Sequence, residues 1–241
     1  MSSQVRDMFS SIAPSYDRVN TILSLGTHHS WRKRAVKLAA IGDGDRVLDC
    51  ATGTGDLAIE MKRTVGPRGA VIGTDFCPEM MVSAPGKAAR ANLDIDFQQA
   101  DAMALPFDDA AFDAATIAFG IRNVDDPQQC LREMARVVRP GGKVMVLEFG
   151  QPDGLLMGPL YRFYSRFIMP FLGGLVSGNF TAYRYLPQTA AAFPSDRAFL
   201  ELMTQAAVFE EQQATPLWRG IAYVYVGTVA ASPAVAPSSS T

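Results

Sequence analysis

The sequence predicts an α/β fold: a mostly parallel, Rossmann-like sheet with helices on both faces and an antiparallel hairpin at its C-terminal end. Three observations carry that expectation. From residue 46 onward, short apolar runs alternate with stretches of helical periodicity, the pattern of a parallel sheet covered on both sides. A glycine turn, "ATGTGD", stands between the first such run and the first such helix. Two strand-like segments meeting at Gly220 then close the chain.

The elements follow in order. Residues 4–40 have helical character with turns near Pro14 and Gly26, which makes 1–40 an N-terminal helical lid. "RVLDCA" (46–51) predicts the first strand and "GDLAIEMKRTV" the helix after it; "AVIGTDF" (70–76) predicts the second strand, with a helix from near Pro78. "IDFQQAD", "FDAATIAF" and "KVMVLEFG" supply three more strands, giving five α/β units. The helix "DPQQCLREMARVV" stops at Pro140-Gly141-Gly142, since proline and glycine end helices. Residues 151–194, rich in Tyr, Phe, Met and Leu, are an insertion in a domain spanning 41–230. The helix "DRAFLELMTQAAV" leads into the hairpin "FEEQQATPLWRG" and "GIAYVYVGTVA". The uncharged Pro/Ser/Ala tail, 231–241, reads as disordered.

Composition narrows the function. The 241 residues are 48% hydrophobic and 19% charged with a net charge of −2, which leaves no basic field for nucleic acid. No apolar run reaches the roughly 18 to 20 residues of a spanning helix; the nearest, "FIMPFLGGLVSG", is broken by Pro170, Gly173 and Gly174. The N-terminus lacks a secretion pattern, and three cysteines without CxxC spacing suit a reducing, cytoplasmic compartment. With two histidines in the chain, no metal is expected.

The glycine turn raises the question of a nucleotide ligand. Gly53 and Gly55 let the backbone turn tightly, and Asp75, 20 positions after Gly55, ends the second strand where a carboxylate can take two ribose hydroxyls. With Ala58 the loop also fits GxGxxA, so a nicotinamide dinucleotide is one reading. Charge favours another. Asp56 in the first helical turn and Asp49 at the strand end would repel a diphosphate but suit a sulfonium bearing an α-amino group. Asp101, in "QADAMALPF", is placed to read an adenine amino group. These residues select S-adenosyl-L-methionine, with plain helix capping by the aspartates as the bland alternative.

"YDRVNTILSLGTHHSW" (16–31) resembles the N-terminal signature of the UbiE/MenG class, the C-methyltransferases of ubiquinone and menaquinone biosynthesis. "RVVRPGGKVMVLEFG" (136–150) resembles their second signature; "FGIRNV" and "YRYLP" (183–187) also match, so the likeness spans about residues 5 to 230. Val19, Arg139 and Gly150 replace the usual methionine, lysine and serine, and Ala118 stands where many members carry serine. The resemblance implies a class I SAM-dependent methyltransferase sheet, with Thr54, Asp75, Asp101 and Ala102 at the cofactor. It also implies methylation of a polyprenyl quinol ring carbon, with demethylmenaquinol preferred to a benzoquinol acceptor. Another lipid-like acceptor, or a non-catalytic SAM-binding subunit of a quinone-biosynthesis complex, are the alternatives.

That chemistry needs a reduced ring, because a quinone carbon is electrophilic; a phenolate spreads its charge to the ortho carbon, so the protein must stabilise an oxyanion. Arg122, at the end of "AFGIRNV", is the candidate donor, with Gly120 leaving room for the ring. A structural arginine paired with Asp17 or Asp125 is the competing expectation. Tyr16 and Asp17 are expected to close over the site. His28 is expected as a general base or a backbone-bonded core residue. Tyr183 and Tyr185 are expected to cover the quinol or to pack, and Asn123 to cap the turn beside the substrate. The insertion "LLMGPLYRFYSRFIMPFLGGLV" offers either a core-facing lid or a channel for the prenyl tail, with Arg162 and Arg166 at lipid headgroups on the inner face of the membrane. A homodimer or a quinone-biosynthesis complex stays open as the protein partner.

Overall fold

Parallel strands require crossovers, and here the crossovers fix where the strand order reverses. The computed structural model describes residues 3–152, 155 and 157–231. Seven strands, β1 (Arg46–Cys50), β2 (Ala70–Asp75), β3 (Asp96–Gln99), β4 (Phe112–Ala118), β5 (Val138–Phe149), β6 (Phe209–Leu217) and β7 (Ala222–Val229), form one sheet in the order β3-β2-β1-β4-β5-β7-β6. The first five run parallel, and β7 pairs antiparallel with both β5 and β6. The order reverses between β1 and β4, so a crevice opens beyond their carboxyl ends, where α/β sheets bind ligands.

The strands are apolar because both faces are covered. Alternation along β1 sends Leu48 to a core with Ile117, Leu131, Met134 and Phe199, and Val47 to a second with Trp31, Leu57, Met61 and Met145. Helices α4 (Asp56–Val65) and α7 (Pro127–Val137) cover opposite faces, together with α3 (Thr27–Leu38) and α11 (Arg197–Ala206). The stretch expected to be helical from Pro78 is two pieces, α5 (Pro78–Met81) and α6 (Ala84–Arg90).

Two expectations are corrected. The connection between β3 and β4 holds no helix, so the units with a helical crossover are fewer than five. Two of its backbone carbonyls are met instead by Arg136 of α7, whose guanidinium donates to Leu105 O at 2.9 Å and Phe107 O at 2.8 Å, and also to the Asp109 carboxylate at 2.7 Å. The last parallel strand also starts at Val138, ahead of Pro140. Arg139 precedes a proline and is driven out of the helical region, while Val138 pairs with Phe112; a register shift between Phe112 and Ala114 absorbs the turn.

The N-terminal segment is helical as expected, with α1 (Ser3–Ile12), a short 3₁₀ turn at Ala13–Ser15 and α2 (Tyr16–Ser24) before α3. The insertion folds as α8 (Met157–Phe163), a π-helical turn (Tyr164–Ile168), α9 (Met169–Ser177) and α10 (Phe180–Ala192). It packs on α2, where Tyr164 Oη donates to Leu23 O at 2.5 Å. A Cβ at Gly173 of α9 would lie 2.5 Å from the Tyr183 ring, so glycine there is what lets α10 approach. Among the described residues no helix is long and apolar enough to cross a membrane. The tail expected to be disordered, Ala231 apart, lies outside the described residues.

Candidate active site

The crevice beyond β1 and β4 is built from the glycine turn upward. Gly53 (φ +55°) and Gly55 (φ +81°) take the left-handed conformation that turns the chain from β1 into α4. A Cβ at Gly55 would press on Ala84 and Phe97, so Gly55 serves packing, whereas Gly53 lines the crevice. Asp75 at the end of β2 is fixed by two backbone donors, Gly53 N to Oδ2 at 2.9 Å and Cys77 N to Oδ1 at 2.8 Å. Burial pushes its carboxyl up to about 6, against those two hydrogen bonds. Asp101 and Ala102 line the same compartment, with Asp101 Oδ1 held by Met103 N at 2.9 Å. Asn123 lines it too, and accepts from Tyr185 Oη at 3.4 Å; Tyr185, expected to cover the quinol or to pack, lines none of the site's three compartments.

A smaller compartment adjoins it, lined by Asp49, Gly53, Thr54 and Asp56. Burial pushes the Asp49 carboxyl up to about 7, although Thr52 and Thr116 hydroxyls donate to it at 2.7 and 2.9 Å and lower it. Thr54 donates to Asp17 Oδ1 at 2.5 Å, and Lys87 Nζ donates to Asp17 Oδ2 at 2.7 Å and to Asp56. This network ties α2 across the glycine turn, which is what Asp17 does in place of pairing with Arg122. Asp56 is paired with Lys87 and with Arg32, which lines the same compartment, so Asp49 and Asp75 are the carboxylates left for a cationic nucleoside, each with an oxygen pinned, beside a Gly53 whose Cβ would meet only Met80 Cε at 3.7 Å.

The third compartment is apolar. It measures ≈ 830 Å³, solvent at its mouth included, and aromatic rings wall it: Trp31, Phe119, Phe149, Tyr161 and Tyr164, with Leu23, Met169 and Leu186. Tyr16 and Phe119 line all three compartments and mark their meeting point. Phe119 has φ +57°, an unfavourable conformation for a bulky side chain. Tyr16, half-buried, has its phenol pKa raised by burial and is a hydrogen-bond donor at neutral pH. His28 joins the wall as a neutral imidazole: burial, with Arg32 and His29 beside it, brings it down to about 4. Its Nδ1 is engaged by Arg32 and its Nε2 lies 3.4 Å from Thr21 Oγ1, so it is a weak base. His28, His29 and Asp56 bring ligand atoms within 4.8 Å of one another, but Arg32 stands on two of the three, 3.3 Å from Asp56, and opposes a cation.

Arg122 lies in the apolar wall, and its partner is neither of the two aspartates expected. Its Nη1 donates to Glu148 Oε1 at 2.7 Å and to Phe119 O at 2.7 Å, with side chains only 3% and 2% exposed for Arg122 and Glu148. Glu148 Oε1 also accepts from Phe149 N at 2.8 Å. Burial pushes the Glu148 carboxyl up and the Arg122 charge opposes it. Among the described residues, three buried polar atoms of the wall have no protein partner: Arg122 Nε, Trp31 Nε1 and Ser24 Oγ.

The ubiE/COQ5 methyltransferase family matches residues 1–229. This chain belongs to that family. It is 56% identical over 225 residues to the ubiquinone/menaquinone biosynthesis C-methyltransferase UbiE of Bdellovibrio bacteriovorus, covering 93% of this chain and 95% of the relative. It is 50% identical to a demethylmenaquinone methyltransferase of Thermus thermophilus, covering 91% of this chain and 99% of the relative. Among solved structures it superposes on a SAM-dependent methyltransferase of Aquifex aeolicus with a TM-score of 0.65 at 16% identity, over 88% of this chain and 97% of that one. That likeness concerns the fold alone, which is the class I SAM-dependent methyltransferase sheet. The methyl donor of this family member is S-adenosyl-L-methionine.

In this ubiE/COQ5 protein the structure brings Asp49, Gly53, Thr54, Asp75, Asp101 and Ala102 around one crevice, and Tyr16, His28 and Arg122 around the cavity beside it. Other expected residues go elsewhere. Tyr183 is buried between α9 and α10 and lines neither compartment, because its ring fills the space over Gly173. Gly120 makes no room for a substrate ring: a Cβ there would sit 2.6 Å from Ala51 Cβ, so it seats the glycine turn. Sequence reasoning missed Arg32, which lines both the cavity and the acidic compartment, and Glu148. Glu148 had a visible signal, an acid inside the otherwise apolar strand "KVMVLEF".

Proposed function

We propose that this methyltransferase transfers a methyl group to a ring carbon of a polyprenyl quinol, with demethylmenaquinol as acceptor. One observation carries the reading: a cavity walled by aromatic rings, with three unpartnered buried polar atoms, meets the acidic crevice at Tyr16 and Phe119. A quinol is flat, apolar and carries a hydroxyl on each side of its ring, which suits those walls and donors. The names of the relatives from Thermus thermophilus and Deinococcus radiodurans, both demethylmenaquinone methyltransferases, favour the naphthoquinol.

When bound, S-adenosyl-L-methionine supplies an electrophilic methyl group on a positively charged sulfur. Asp75 and Asp101 hold its nucleoside end and Asp49 and Thr54 its amino-acid end, while Gly53 lets the backbone approach. Trp31, Phe119 and Phe149 flank the quinol ring and exclude water. Arg122 keeps Nη1 on Glu148 and turns the rest of its guanidinium fork to a ring oxygen, lowering the pKa of that hydroxyl and stabilising the phenolate that activates the ortho carbon. Glu148 positions the guanidinium. The exposed face of the insertion gives the enzyme a peripheral contact with the membrane holding its substrate.

Labelled methyl transfer tests this. With labelled S-adenosyl-L-methionine, demethylmenaquinol kept reduced by dithionite is expected to take label on the ring carbon, and the oxidised quinone to take none. Equal labelling of both, or of neither with cofactor bound, would overturn the proposal.

A further inference from the structure

The face of the insertion turned away from the cavity carries features that the reaction does not use. Leu160, Phe163, Phe167, Phe171 and Leu175 recur every three or four residues and are each between 55% and 66% exposed. That spacing puts them along one side of the α8–α9 rod, with the Phe163 and Phe167 rings 5.3 Å apart. Single exposed apolar side chains are ordinary; a continuous stripe of five marks a contact surface. The opposite side of the same rod is already occupied, with Met169, Leu172 and Val176 packed against α2 and α10.

Beside the stripe lies a depression of ≈ 1190 Å³, open solvent included, lined by Arg162, Arg166 and Arg184 and, among the described residues, by no carboxylate. All three arginines are exposed, and none forms an ion pair among the described residues. Arg166 sits 5.7 Å from the Phe167 ring, so charge and stripe are contiguous.

The depression and the apolar cavity are two sides of one seam. Pro187 of α10 lines both, and across from it Tyr161 and Tyr164 face the cavity while Arg162 and Ser165 face the depression. The helices are least regular at this level: the π turn Tyr164–Ile168 interrupts one, and Pro187 removes a backbone donor from the other.

We propose that this outer face docks on an anionic phospholipid bilayer, with the three arginines on lipid phosphates and the Phe/Leu stripe in the acyl boundary. The seam between the π turn and Pro187 is then the passage by which a prenyl tail leaves the cavity for the bilayer. Charge complementarity selects the occupant: three exposed guanidiniums beside exposed phenylalanines match phosphate heads above hydrocarbon. The passage rests on the quinol reading; the docking surface does not.

The test is flotation of the full chain with two kinds of vesicle, phosphatidylcholine alone and phosphatidylcholine with phosphatidylglycerol. The wild type is expected to float with the phosphatidylglycerol vesicles and to bind pure phosphatidylcholine far more weakly. Each arginine at an anionic surface is worth about fivefold, so R162Q/R166Q/R184Q is expected to bind on the order of 100-fold more weakly. F163S/F167S/F171S is expected to lose binding with its thermal unfolding unchanged. Turnover on a tail-less demethylated quinol in solution is expected to be equal in the wild type and the arginine variant; absence of turnover in both would sink the quinol reading and leave the lipid result standing. The docking proposal is overturned if the wild type ignores anionic vesicles, binds both compositions equally, or binds undiminished after the arginine substitutions. A dimer dispersed by the phenylalanine substitutions, with no vesicle binding, would assign the face to a second copy instead.

Discussion

Arg122→Lys lowers turnover on the quinol by on the order of 10²-fold, while the protein stays folded and binds its cofactor as before. Lysine preserves a positive charge opposite Glu148, so the buried ion pair survives in reduced form. What it removes is the fork, in which Nη1 is spent on Glu148 and Phe119 O while the other N–H groups remain for a ring oxygen. Losing one such oxyanion donor costs about 10²- to 10³-fold in turnover. Arg122→Ala is a poorer test, because an unpaired Glu148 in that interior costs about 3–5 kcal/mol of stability. Steady-state kinetics on the lysine variant, with thermal unfolding and cofactor titration alongside, makes the measurement. Near-normal turnover in a folded variant would show that the forked donor plays no part.

Asp75→Ala weakens cofactor binding by on the order of 10³-fold. Two ribose hydroxyls donating to one carboxylate are worth about 1.5–3 kcal/mol each, and the substitution also frees Gly53 N and Cys77 N, which Asp75 now holds. Acidity gives the same result more gently. Burial has pushed this carboxyl up to about 6, and only its ionised form accepts both hydroxyls. Cofactor affinity is therefore expected to be weak below about 6, to rise as pH rises through that value, and to level off above it; Asp49, pushed to about 7, extends the rise. Calorimetric titration of the wild type and the alanine variant across that range checks both. A pH-independent affinity in the wild type would remove Asp75 from the ribose.

The sheet was legible because buried parallel strands are near-continuous apolar runs, and "VLDCATGTGD" carries its own turn chemistry. The gathering of Asp49, Asp75 and Asp101 around one crevice was legible too, because strand ends and glycine turns place carboxylates by local geometry alone. Residues whose roles depend on distant partners were harder to read. Asp17 looked available to Arg122, yet Thr54 and Lys87 take it, 37 and 70 positions away. Glu148 reaches Arg122 only because β5 lies beside β4, which no local pattern reports. Gly120 was read as leaving room for the ring and Tyr183 as covering the quinol or packing, and close packing against Ala51 and over Gly173 decides them. The β3–β4 loop resembled a helical crossover by alternation, and the Arg136 clamp that replaces the helix is again a long-range contact.

The same distinction explains the N-terminal segment. Its long motif looked like a lid, and the structure shows what the residues of that segment face. Tyr16 stands where all three compartments meet, Trp31 and His28 line the aromatic cavity, and Asp17 fastens the segment to the glycine turn.

The central claim is that the aromatic cavity beside the cofactor crevice receives the quinol ring. A crystal structure with S-adenosylhomocysteine and a tail-less quinol analogue tests it most directly. The ring is predicted among Trp31, Phe119 and Phe149, with one oxygen on the Arg122 guanidinium and Arg122 still paired to Glu148. A ring bound outside that cavity, or bound inside it with no oxygen on Arg122, would contradict the account.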